Sequence, residues 1–118
     1  MFKVAIIGGE AMGDYPRFKK KCMECLKNKV KEDSIMIYTV GDRYVDAFAE
    51  RYGIDTRFFG CDFKHHGRNA LKERAEALLE DCNAVIIFEN GLKDTQMIKK
   101  MAAEKGLPLR VIMPSLFT

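Results

Sequence analysis

The chain has 118 residues, 47% of them hydrophobic and 31% charged, with a formal net charge of +3. That length predicts a single domain over residues 1–118, able to bury a core without disulfide or metal staples. This is the composition of an ordinary globular protein, and the chain shows no repeat, low-complexity run or linker. The basic residues are interleaved with acids, apart from Lys19, Lys20 and Lys21. This speaks against a nucleic-acid partner, which normally requires a concentrated basic stripe. No stretch approaches the ~18 apolar residues of a membrane span, and no secretory leader is visible. The expectation is a cytoplasmic protein whose four cysteines are reduced.

In chain order, residues 2–7 read as a buried strand ending on Gly8-Gly9. Asp14 can cap a helix with Pro16 in its first turn, and Phe18, Cys22, Cys25 and Leu26 fall on one face of it. Residues 34–40 read as a second strand. Asp42 can cap a second helix with Val45, Phe48, Ala49 and Tyr52 as its stripe and Gly53 at its end. A short strand at 55–59 precedes a polar loop, 60–68, and a helix to about residue 80. Residues 84–88 form a wholly apolar strand. Asp94 can cap the last helix, and residues 109–113 make a fifth strand.

Five strands alternating with helices imply right-handed βαβ crossovers. The expected fold is α/β: a three-layer Rossmann-like domain with a five-stranded parallel sheet and helices on both faces. The order 3-2-1-4-5 is preferred over 2-1-3-4-5. Ligands of such sheets bind beyond the strand carboxyl ends at the switch point. With this order the crevice lies between strands one and four. Gly8, Gly9 and Glu10 line one side, and Glu89, Asn90 and Gly91 the other.

Five constellations are candidates for chemistry. Gly8-Gly9 lets backbone approach a ligand, or merely makes a tight turn. Asp46 can reach a ribose hydroxyl or pair with Arg43. Lys64, His65, His66 and Arg68 form a cationic patch before a helix, suited to phosphate or simply to solvent. Cys22-x-x-Cys25 has a metal-like spacing, but both cysteines sit on the apolar stripe, which favours core packing and no metal. Gly91 and Thr95 open the last helix, where a threonine hydroxyl can serve a phosphate or a cap.

The order of these features resembles a known family. Gly8-Gly9 is followed by Asp14-Tyr15, then Gly41-x-Arg43-x-x-Asp46, Asp62-Phe63, Gly67-Arg68, Arg74, the apolar strand to Phe88, and Gly91-x-x-x-Thr95-x-Met97. The whole is similar to the YspA/YpsA-related group of the SLOG superfamily, Rossmann-like domains related to DprA and to the LOG phosphoribohydrolases. The resemblance implies a pocket for a nucleotide or nucleotide derivative, such as NAD, ADP-ribose or a nucleoside monophosphate, used in sensing or processing. Carried over position by position, the pocket is Gly8, Gly9, Gly41, Arg43, Asp46, Arg68, Arg74, Gly91 and Thr95. The LOG signature P-G-G-x-G-T-x-x-E is replaced by Glu89-Asn90-Gly91-Leu92-Lys93-Asp94-Thr95, so that activity is not implied. Two other readings stay open. Glu10 and Glu89 could be the catalytic carboxylates of an enzyme that cleaves N-glycosidic bonds. Alternatively, the lysine-rich segments could make the chain a nucleic-acid or protein adaptor. A homo-oligomer is compatible with this kind of fold.

Overall fold

A computed structural model describes residues 1–32 and 34–114. The strands are β1 (Phe2–Ile7), β2 (Ile35–Thr39), β3 (Asp55–Phe58), β4 (Ala84–Phe88) and β5 (Leu109–Ile112). The helices are α1 (Tyr15–Glu32), α2 (Arg43–Arg51), α3 (Phe63–His66), α4 (Ala70–Glu80) and α5 (Lys93–Glu104). All strand pairs are parallel and the order is β3-β2-β1-β4-β5, the expected one.

Two core layers explain the apolar strand runs. Val4, Ile6 and Ile37 pack with Phe18, Cys22 and Leu26 of α1 and with Val45, Phe48 and Ala49 of α2. Ala5, Ile7, Tyr38, Val85 and Ile87 pack with Ala75, Leu78 and Leu79 of α4 and with Ile98 and Ala102 of α5. Alternate residues of β1 thus feed opposite layers, so neither face can be polar. Cys22 is fully buried, and burial pushes its thiol well above the ordinary range. It acts as a small hydrophobe.

Local chemistry sets the element ends. Asp14 accepts from the Arg17 amide at 2.8 Å, as expected of a cap for α1. Three features differ from the expectation. A 3-10 turn, Gly9–Met12, follows β1. The loop at 60–68 holds the one-turn helix α3, because Asp62 accepts from the His65 amide at 3.1 Å. Asp94 does not cap α5, whose N-cap is Leu92; it lies in the first turn and pairs with Arg74 instead.

The tail of β1 is the tightest of the glycine positions among the described residues. Gly8 has φ +79°, and a Cβ there would lie 2.2 Å from the Phe88 carbonyl oxygen. A Cβ on Gly9 would lie 2.5 Å from the Phe18 ring. That ring is fully buried and packs 5.0 Å from the Phe88 ring, centroid to centroid. Gly8→Ala should therefore cost roughly 3 kcal/mol or more in urea unfolding, combining left-handed strain with a backbone collision. Gly53→Ala, with φ +63° and nothing within 4 Å, should cost roughly 1 kcal/mol. Equal losses would contradict this packing.

Candidate functional site

The carboxyl ends of the strands carry a chain of bonded side chains. At the end of β2, the buried Thr39 hydroxyl donates to Asp46 Oδ1 at 2.8 Å and accepts from the Gly41 amide at 3.1 Å. Asp42 then caps α2, its Oδ1 accepting from the amides of Tyr44 at 2.9 Å and Val45 at 3.2 Å. Its other oxygen accepts from the Glu10 amide at 3.0 Å. One carboxylate therefore starts α2 and holds the loop after β1. The Glu10 carboxylate meets Arg43 Nε at 2.5 Å, tying the same two segments a second time. Arg43 remains 81% exposed.

Across the switch point, Glu89 leaves the end of β4 with its side chain 14% exposed. It accepts from Lys99 Nζ at 2.6 Å, from the Gly91 amide at 3.0 Å and from Gln96 Nε2. Lys99, then the Gly91 amide and Gln96, hold its carboxyl down to about 2 from an ordinary 4.5. A group held ionised this firmly has no proton to donate at neutral pH. Asn90 Oδ1 accepts from the Leu92 amide at 2.9 Å, while its Nδ2 lies 3.4 Å from where a Cβ of Gly8 would be. Asn90 thus brings the loop after β4 close to the tail of β1.

The other candidates lie deeper or further out. Arg74 of α4 and Asp94 of α5 form an ion pair with the arginine side chain 10% exposed. Arg74 Nε and Asp94 Oδ1 are buried without a hydrogen-bond partner. Thr95 is buried beside them in sequence. Arg68 is exposed on the 3-10 turn Gly67–Asn69. The histidines of the cationic patch face acids: His65 meets Asp62 at 2.8 Å and His66 meets Glu73 at 2.6 Å.

Gly8, Gly9, Glu10, Gly41, Arg43 and Asp46 are thus linked into one unit around Asp42. Glu89 and Gly91 form a second unit with Lys99 and Gln96. Arg74 ties α4 to Asp94 of α5, and Thr95 is buried in the first turn of α5. Sequence reasoning named Asn90 beside Glu89 but missed Thr39, Gln96 and Lys99. Gln96 and Lys99 sit three residues apart on one helix face, a legible signal that both serve one partner. Among the described residues no cluster of three His, Cys, Asp or Glu could hold a metal ion, and no helix is long and apolar enough to cross a membrane. A mostly apolar cavity of about 550 Å³ lies at the opposite end of the sheet, lined by Met23, Leu26, Phe48, Tyr52 and Ile54 among others. Neither a family model nor a curated protein matches this chain.

The folded carboxyl of Glu89 titrates below its unfolded value. Its stabilisation is complete above about pH 4.5 and disappears as pH falls toward 2. Glu89→Gln should therefore lower stability by about 1 kcal/mol at pH 7 and by almost nothing near pH 2. Urea melts across that range check it, and a pH-independent difference would contradict it.

Proposed function

We propose that the chain binds a nucleotide or nucleotide-derived ligand at the carboxyl ends of β1, β2 and β4, as a sensing or processing module. The observation that carries this reading is the topology. The chain leaves β1 toward the layer of α1 and α2 but leaves β4 toward the layer of α5, so the two connections diverge between adjacent strands. Parallel sheets bind ligands at such a divergence. The order of motifs resembling SLOG domains supports the same ligand class.

The roles follow from what each group has left to offer. Arg43 and Arg68 are exposed and suit phosphate oxygens. Arg74 is already neutralised by Asp94, so it supports the site from beneath rather than meeting the phosphate itself. Asp46, exposed and bonded through one oxygen to Thr39, suits a ribose hydroxyl, as does Glu10. The bare backbone of Gly91 offers close approach. Cleavage of an N-glycosidic bond is the weaker reading. Glu89 is tied to three donors and Glu10 to Arg43, which gives both carboxylates structural work.

Saturating ADP-ribose, NAD or AMP should raise the melting temperature by roughly 5 °C or more for at least one of the three. Arg43→Ala should weaken that ligand about tenfold, the loss of one charge-assisted contact. Melting curves unmoved by all three, at millimolar concentration, would contradict the proposal.

A further inference from the structure

Phe58 ends the edge strand β3 and is 65% exposed. Its position is not casual. The outer part of its ring lies between Gly41 and Gly60. A Cβ on Gly41 would stand 3.2 Å from ring atom Cε2, and one on Gly60 would stand 3.0 Å from Cε1. Gly41, at φ +99°, is also required by its backbone. Gly60 has no such backbone need, so the ring itself is what its missing side chain accommodates.

The neighbouring aromatics are treated differently. Tyr38 is buried, and Phe59 is nearly so. The Arg57 guanidinium lies 5.7 Å from the Tyr38 ring centroid and 4.8 Å from that of Phe59. Among the described residues no ring or cation covers Phe58. One aromatic side chain is seated on two glycines and left open, beside two that are sealed. Gly41 leads in sequence directly into Asp42 and Arg43, and its amide shares the Thr39 hydroxyl with the Asp46 carboxylate. Thr39 and Phe58 are register partners, which sets Phe58 on the same side of the sheet as the hydroxyl that holds Asp46.

We infer that Phe58 is a stacking platform for a nucleobase, with the ribose at Asp46 and phosphate oxygens at Arg43. The inference rests on the ligand reading above and narrows it to ligands that carry a base. β3 lies two strand spacings from β1, roughly 10 Å, a gap that a nucleoside diphosphate can bridge. Stacking on an open aromatic ring needs no base-specific donor, so it would tolerate different bases.

The chain contains no tryptophan, so Phe58→Trp introduces a single tryptophan whose emission reports on the platform. ADP should quench that fluorescence, and ribose 5-phosphate should not. By calorimetry, Phe58→Leu should bind ADP about tenfold more weakly than the unaltered chain, the size of one base–aromatic stack, with ribose 5-phosphate affinity unchanged. Equal ADP affinity in both proteins, with no quenching, would overturn the platform and leave the ligand reading standing. Failure of the unaltered chain to bind either compound would overturn both. Loss of a self-associated state in Phe58→Leu, with no effect on ADP, would assign the ring to a second copy of the chain and overturn the inference.

Discussion

The carbonyl oxygen of Phe88 and the ring of Phe18 press on the tail of β1, and this close approach organises the rest of the site. No side chain fits at Gly8 or Gly9 against them. Because the main chain turns there without side-chain bulk, the next amide, that of Glu10, reaches Asp42. Asp42 in turn starts α2, and α2 presents Arg43 back to Glu10. A steric constraint between two central strands thus becomes a set of directed polar groups at the strand ends.

The electrostatics at that end are closed by pairs. Glu10 faces Arg43, Glu89 faces Lys99, and Arg74 faces Asp94. A phosphate bound as proposed would share each of these cations with a carboxylate. Exposed Arg43 can meet a phosphate while its Nε stays on Glu10, because a guanidinium carries several donors. The partly buried Arg74–Asp94 pair has less freedom. Its unpartnered Nε and Oδ1 mark it as a costly arrangement retained inside the fold.

Much of the fold was legible because it depends on local pattern. The apolar run 84–88, the stripe from Phe18 to Leu26 and the cap at Asp42 each specify an element without reference to distant residues. Asp94 was misread for the opposite reason. An acid near a helix start looks like a cap, and its true partner, Arg74, is 20 residues away on another helix. The glycines were legible as bare backbone, yet their immediate neighbours are protein atoms, Phe88 and Phe18, which only the packed sheet brings there. Phe58 carried no signal in the sequence, since an aromatic residue in a strand is ordinarily core. Its exposure follows from the edge position of β3.

The proposed ligand site lies at the carboxyl ends of the strands, although a cavity of about 550 Å³ opens at their amino ends. Amide chemical shifts recorded during an ADP titration separate the two directly. Binding at the carboxyl ends should perturb Gly8, Gly9, Gly41, Arg43 and Gly91 and leave Leu26, Tyr52 and Ile54 unmoved. Perturbations confined to Leu26, Tyr52 and Ile54 would contradict it.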